Sequence, residues 1–505
     1  MSGWLEGLES IFQLYPMLFL SVGMIIGLVF GAVPGLGGTT ALALLMPLTY
    51  GMDTMSAMAL AGGCMGAVPM GGSISAILIN TPGSAPNAAT CLDGYPLAQQ
   101  GKAGLAIGAA ASANAVGGLI GAFSLVFILP ISESLVMSFG PPEFFLLSLL
   151  ALVMVASASR GKMLRGLIAG GVGLMIAFIG FDQVTGAVRY TFGTEYLWDG
   201  IHLVPMLIGL FAGAEMIKLW QNGGSIAETG PDTKIDGIFD GLLETFRHWP
   251  TVLRGSLIGT VVGTVPGVGG TVASLLSYSL TVQVSKDPES FGKGNIQGVI
   301  APEACINAQD CSSLIPTIAF GIPSGAEMAV FLGILILHGM QPGPLMLIDN
   351  KIEIYGLVWS LTIACVLAGG LGILVIKPLS RITAVPARRI APIIMVLALV
   401  GSWAIDQAMG NVVVTAVFGL LGYLMARLDY PRLPLVISIV LGAGLERNLH
   451  QSMAMSEGSA GIFVERPITL ILLTLIVLGL AWTPVRSLFG RIGARKGTEG
   501  ERGLA

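Results

Sequence analysis

A helix-breaking phrase interrupts the long apolar runs of this chain twice, in nearly the same words. Gly31-Ala32-Val33-Pro34-Gly35-Leu36-Gly37-Gly38-Thr39 returns 232 residues later as Gly263-Thr264-Val265-Pro266-Gly267-Val268-Gly269-Gly270-Thr271. Glycine destabilises a helix interior and proline removes a backbone donor, so each phrase ends a helix. Inside a bilayer such a break is tolerated only where the bared backbone meets protein, water or a ligand. A break repeated in both halves of a membrane chain points to a transport site at the interface of two repeats.

That argument needs a membrane chain, and composition supplies one. The 505 residues are 54% hydrophobic and 11% charged, with mean hydropathy +0.83; a soluble domain carries roughly 25% charged residues. Segments 163–181, 355–376 and 467–485 are apolar over about the 20 residues that a helix needs to cross a bilayer. The expected fold is an all-α polytopic membrane protein of two inverted-topology repeats with broken helices or re-entrant hairpins, about eleven crossings in all besides the hairpins. The first repeat is expected over 15–220 and the second over 251–450. A polar connecting loop, 221–250, lies between them with a short surface helix from Gly237 to His248, and an extra C-terminal transmembrane helix follows at 467–485. Segment 54–80 crosses once or dips in and returns at Gly71-Gly72, and segment 302–347 has the same ambiguity at Gly321–Gly325.

Loop charge sets the orientation. Loop 131–143 carries Glu133 and Glu143 and no base, whereas its counterpart 377–389 carries Lys377, Arg381, Arg388 and Arg389. The next pair reverses the bias, with Arg160, Lys162 and Arg165 in the first half against Asp406 in the second. Corresponding loops therefore face opposite sides, with the N-terminus outside and the tail with Arg486, Arg491, Arg495 and Lys496 in the cytoplasm. The start of the chain, with Glu6 and Glu9 and no early base, does not read as a cleavable signal.

Half-helix N-termini at such breaks present free N–H groups and partial positive charge, which hold an anion without burying Lys or Arg. Thr39, Thr40, Thr271 and Ser274 follow the glycines within reach of such a ligand. A second polar break follows in each half. Ser73, Ser75, Asn80, Thr81 and Ser84 supply the first, and Asn307, Gln309, Ser312, Ser313, Thr317 and Ser324 the second. Freed carbonyls with Asn, Ser and Thr oxygens suit Na+. Ser73, Ser75, Asn307, Thr317, Glu303 and Asp310 are the candidates for coupling to Na+ or H+. The acids lie either inside the membrane, where ionisable groups are functional by default, or at the interface beside Lys286, Asp287 and Lys293. Against these readings stand plain helix packing for the glycines and satisfaction by the local backbone for each hydroxyl. Glu215 and Glu446 read as solvated helix ends near Lys218 and Arg447. The five cysteines, with no CxxC spacing, read as small buried residues.

No dinucleotide fingerprint, P-loop or HExxH zinc motif occurs; a net charge of −4 says little about partners, since the charges sit in short loops, and no nucleic-acid partner is expected. Transport without cofactors, driven by an ion gradient, is the expectation. Rival readings are a carrier of another anion or neutral metabolite, an intramembrane enzyme built on Glu303 and Asp310, and a scaffold without transport.

The phrases Gly-Ala-Val-Pro-Gly-Leu-Gly-Gly at 31–38, Gly-Ser-Ile-Ser-Ala-Ile-Leu-Ile-Asn-Thr-Pro-Gly at 72–83, Val-Pro-Gly-Val-Gly-Gly at 265–270 and Ala-Phe-Gly-Ile-Pro at 319–323 resemble the large membrane subunit of the bacterial tripartite tricarboxylate transporters. The resemblance covers nearly the whole chain. It implies an ion-coupled secondary importer of small carboxylates such as citrate, in the bacterial inner membrane, with a small membrane subunit and a periplasmic substrate-binding protein as partners. It also implies substrate or ion contacts at Pro34, Gly35, Gly37, Gly38, Asn80, Thr81, Pro82, Gly83, Pro266, Gly267, Gly269, Gly270, Pro323 and Ser324. One stretch departs from the family pattern: Ile306-Asn307 stands where two asparagines are usual, and this leaves substrate and ion preference open.

Overall fold

The computed structural model describes residues 2–158, 162–182, 185–222, 236–343, 346–376, 378–379 and 387–481. Helices dominate it. In the first half they are α1 (Ser2–Ile11), α2 (Leu14–Ala32), α3 (Gly37–Thr49), α4 (Thr54–Ile79), α5 (Ala88–Gln99), α6 (Ala103–Val136), α7 (Pro141–Ser157) and α8 (Met163–Ala177). A small hairpin then pairs Gly180–Phe181 with Val188–Arg189 antiparallel. Helix α9 (Leu203–Leu207) runs through a π turn, Ile208–Gly213, into α10 (Ala214–Asn222). The second half continues with α11 (Ile238–Arg247), α12 (Trp249–Gly263), α13 (Gly269–Val284), α14 (Gln297–Phe320), α15 (Ala326–Leu337), α16 (Met346–Asp349) and α17 (Lys351–Leu374). The remainder is α18 (Ala387–Asp406), α19 (Met409–Arg427), α20 (Arg432–Met455), α21 (Ile462–Glu465) and α22 (Pro467–Ala481).

Among the described residues, seven helical segments are long and apolar enough to cross a bilayer, and five shorter apolar helices accompany them. The chain is a multi-pass helical membrane protein. Its order of elements repeats: α2, break, α3, α4, break, α5, α6 in the first half, and α12, break, α13, α14, break, α15, α17 in the second.

Glycine spacing explains how the repeated helices pack. Gly23, Gly27 and Gly31 on α2 and Gly255, Gly259 and Gly263 on α12 stand 232 residues apart, like the break motifs. A Cβ on Gly23, Gly27 or Gly31 would lie 2.2, 2.3 or 2.2 Å from the carbonyl oxygens of Leu60, Cys64 and Val68 on α4. On α12 the equivalent distances to the Ala301, Cys305 and Gln309 oxygens of α14 are 2.5, 2.2 and 2.6 Å. Small residues every fourth position let two backbones touch, and dispersion then supplies the attraction that lipid does not.

The described residues gather into two compact units. One holds Met1–Val136 and His202–Arg427, and the other Met137–Ile201 and Leu428–Ala505. The first has its core at Leu20, Met24, Leu28, Met70, Ile74 and their neighbours. In the second, Leu146 and Val153 of α7 pack on Leu472 and Ile476 of α22, and Gly173 of α8 abuts the Leu435 carbonyl of α20. There Arg189 grips Glu446 with two bonds of 2.8 Å, which holds the Arg189 guanidinium above its ordinary pKa. Glu446 was read as a solvated end near Arg447; the hairpin supplies Arg189 instead. Glu215 does pair with Lys218, at 3.1 Å.

Several boundaries differ from the sequence reading. The loop expected over 131–143 is helix as far as Val136, because no glycine or second proline stops α6 there; Glu143 is buried, bonded to the Gly140 N–H and to Arg466. Segment 54–80 is one 26-residue helix. Gly71 serves packing in it, since its Cβ would meet the Leu28 carbonyl at 2.4 Å. The apolar run 163–181 ends as helix at Ala177, ahead of the hairpin. The short helix expected near 237–248 is α11. Four of the five cysteines are buried free thiols and Cys91 is partly so. Arg160, Lys377, Arg381, residues 223–235 of the connecting loop and the basic tail lie outside the described residues.

The glycine ladders give a direct test. Gly259→Leu forces a side chain into the Cys305 carbonyl, and overpacking of this kind costs about 1–3 kcal/mol. A Cβ on Gly370 of α17 meets nothing within 4 Å, so Gly370→Ala leaves stability unchanged or raises it by up to about 1 kcal/mol. Thermal melts of the two purified proteins in one detergent measure the contrast.

Candidate functional site

The two copies of the break share one backbone conformation. Gly35 and Gly37 have φ of +87° and +60°, and Gly267 and Gly269 have +80° and +68°. Only glycine enters this left-handed region without steric cost. The second breaks also match. Helix α4 ends on Asn80 at φ +52° and α14 on Gly321 at φ +68°. Each is a left-handed cap, for which Gly and Asn are suited, and each is followed by one residue and a proline, Thr81-Pro82 or Ile322-Pro323.

All four breaks meet in the first unit. A Cβ on Gly83 would fall on the Gly31 carbonyl, and one on Gly37 would lie 3.9 Å from the Gly83 oxygen, so the two first-half breaks touch. In the second half a Cβ on Gly325 would lie 3.9 Å from the Gly269 Cα. Contacts then cross between the halves. The space beside Gly38 is filled by the Glu327 carboxylate, 2.4–2.7 Å from where a Cβ would stand. The space beside Gly270 faces Gln309 Oε1 at 2.6 Å and Pro86 Cγ at 3.0 Å, and the Ser274 hydroxyl donates to the Pro86 carbonyl at 2.7 Å. Helices α3 and α13 both start at this centre, and neither has a side-chain cap. Their first-turn N–H groups thus remain for a ligand.

Surroundings distinguish the two copies. Val33, Pro34, Leu36, Gly38 and Thr40 are buried, whereas Val265, Pro266, Gly267, Val268, Gly269, Gly270 and Thr271 are all partly exposed.

The predicted polar residues divide into satisfied and unsatisfied groups. Glu303, fully buried in α14 rather than interfacial, accepts four bonds. Ser73 donates at 2.6 Å, Asn114 at 2.8 Å, Asn87 at 3.2 Å, and Thr90 through its hydroxyl. All four donors belong to the first half. The Ser75 hydroxyl goes to the Gly72 carbonyl at 3.0 Å, Thr317 to Ser313 at 2.8 Å and Thr81 to Ile79 at 3.2 Å. Asn307 donates to the Asn114 carbonyl at 3.1 Å, but its buried Oδ1 has no partner, and neither has the buried Ser324 Oγ. Asp310, also inside α14, is 9% exposed. Its carboxylate has no donor or cation among the described residues, and the same holds for Glu327, whose Oε1 is buried. Pro323 is buried beside Ser324; Thr39 and Thr271 stand partly exposed at the centre.

Sequence reasoning missed Glu327, Asn87, Thr90 and Asn114. Glu327 had a legible signal: it is an acid in the first turn of an apolar helix, directly after a break. The three donors had none, because their role exists only across halves.

The Glu303 cluster is testable by stability. Glu303→Leu leaves the Thr90 hydroxyl and the Asn114 amide without an acceptor, each orphaned group costing about 1–3 kcal/mol, whereas Ser73 and Asn87 keep the Pro69 carbonyl as a partner. Glu303→Gln keeps one acceptor oxygen. The melting temperature in detergent should fall in both variants, and further for leucine.

With this geometry in view, likeness to known proteins is informative. An Agrobacterium vitis protein described as an uncharacterised 52.8 kDa protein in the TAR-I ttuC' 3' region is 34% identical over 478 residues, 94% of each chain. Another from Agrobacterium vitis, in the TAR-II ttuC' 3' region, is 36% identical over 217 residues, 43% of this chain and 90% of its own length. No solved structure matches. The tripartite tricarboxylate transporter TctA family matches residues 17–437, a span that includes every break and acid of the centre, and the chain belongs to that family.

Proposed function

We propose that this chain is the large permease subunit of an ion-coupled importer of small organic tri- and dicarboxylates. In this reading it works in the bacterial inner membrane with a small membrane subunit and a periplasmic binding protein, and its halves are inverted repeats that rock about a shared substrate. The observation that carries the reading is that each N-terminus rests against the break of the other half, α3 at Gly38–Glu327 and α13 at Gly270–Pro86. Two helix N-termini give two sets of bare N–H groups, each suited to a carboxylate. A ligand with more than one carboxylate engages both halves at once, which links binding to their relative motion. Na+ or H+ supplies the driving force, since no nucleotide motif is present in the sequence.

Gly37→Leu and Gly269→Leu test the site. A Cβ on Gly269 meets nothing within 4 Å, and one on Gly37 only the Gly83 oxygen at 3.9 Å. Either side chain therefore enters the space between the breaks, at a left-handed backbone cost of about 1–2 kcal/mol. Uptake in cells that also express the partner subunits should fall by about tenfold or more, equivalent to roughly 1.4 kcal/mol, with unchanged protein in the membrane. Normal uptake by both variants would reject the site. Competition among labelled citrate, succinate and glutarate, and the ligand carried by the purified binding protein, identify the cargo.

A further inference from the structure

Outside the centre, the second unit carries an aromatic ridge. After α8, the hairpin and the turn that follows it expose four rings, Phe181, Tyr190, Phe192 and Trp198, with Phe192 85% and Tyr190 65% accessible. Tyr190 and Phe192 stand on left-handed backbone, at φ +55° and +51°. Bulky side chains avoid that region, and such strain persists only where the surroundings impose it. Main-chain bonds do so here: the Phe181 N–H donates to the Trp198 carbonyl at 2.8 Å and the Asp182 N–H to the Ala187 carbonyl at 2.9 Å. Arg189, next to Tyr190, is gripped by both Glu446 oxygens and lies 3.8 Å from Asp182.

A cavity of about 370 Å³ opens beside the ridge. Phe181 and Trp198 belong to its wall, and its charged lining is Asp182, Asp199, Glu446, Arg189 and Arg447, three acids against two bases. Arg189 is the one base in residues 178–201, and Glu446 already holds it; Glu195 and Asp199 are exposed. The surface is thus aromatic, braced and acidic.

We propose that ridge and cavity together dock a soluble protein outside the membrane, and that the partner inserts an arginine. Its guanidinium enters the cavity, pairs with Asp199 and stacks on Trp198 or Phe181, while apolar partner surface covers Tyr190 and Phe192. This rests on the transport reading above, which calls for a periplasmic binding protein, and gives that protein a landing site. Loop charge puts the hairpin on the outer side, since Lys162 and Arg165 mark the other end of α8 as cytoplasmic. Charge and composition favour a protein over the lipid headgroup layer, which also attracts tryptophan and tyrosine. Exposed Glu195 and Asp199 repel anionic headgroups. Thr191, Gly193 and Thr194 between the rings give the aromatic and small polar mixture of recognition loops. Rings already held in place lose little further freedom on binding.

The test uses the full-length protein, purified with its small subunit in detergent and in nanodiscs, with the purified periplasmic binding protein as probe. Phe192→Ala, Trp198→Ala and Asp199→Lys should each weaken its binding about tenfold or more, as the loss of a hot-spot contact does, while melting no lower than the wild type. Phe239→Ala, which removes a comparably exposed ring from α11, should bind as the wild type does. Unchanged affinity in all three ridge variants overturns the proposal. So does wild-type affinity combined with a fall in melting temperature seen in nanodiscs and absent in detergent, because the ridge would then be a lipid anchor. The transport reading fails separately. Ridge-dependent docking with no carboxylate uptake under any gradient keeps the landing site and rejects the importer; gradient-driven uptake with affinity untouched by the three variants keeps the importer and rejects the landing site.

Discussion

Backbone contact between neighbouring helices is the interaction on which the centre depends. Where Gly23, Gly27 and Gly31 lie against α4, and Gly255, Gly259 and Gly263 against α14, no side chain separates the main chains. The last glycine of each ladder is also the first residue of a break motif. Close packing therefore delivers each break to a fixed point beside the long helix that follows it, and Gly83 completes the first-half contact by resting on the Gly31 carbonyl. The high glycine content serves two ends that use different properties of the residue: absence of volume along the ladders, and access to positive φ at Gly35, Gly37, Gly267 and Gly269.

The acids sort by what surrounds them. Glu303 is surrounded by hydroxyls and amides from α4, α6 and the segment around α5, so its carboxyl oxygens find hydrogen-bond partners inside the protein without a base. It joins the halves as a fixed polar contact. Asp310 and Glu327 have no such shell among the described residues. Proximity in sequence placed Glu303 and Asp310 together as candidates; hydrogen bonding separates them.

Much of the helical architecture was legible because it is local. The breaks follow from Pro-Gly and Gly-Gly chemistry, the span lengths from apolar runs, and family membership from the phrases at 31–38, 72–83, 265–270 and 319–323. The glycine ladders were legible too, with the same 232-residue shift, but a spacing of four in an apolar helix reads as generic packing until a partner is seen. What could not be read was tertiary. Nothing near Asn87, Thr90 or Asn114 announces a carboxylate that lies about two hundred residues away. The end of α6 was misplaced because Glu133 and Glu143 read as the charges of one loop, yet the helix passes Pro130 and continues to Val136.

The ladders carry one more implication. Helices joined main chain to main chain cannot slide past each other without climbing over carbonyl oxygens, so α2 with α4, and α12 with α14, behave as two stiff paddles. Deformation is then confined to the short peptides between them and the half-helices they precede. The four left-handed glycines are the natural pivots there, since they tolerate torsional excursions that a side chain would forbid. A protein built in this way concentrates its flexibility at the very peptides where its breaks meet.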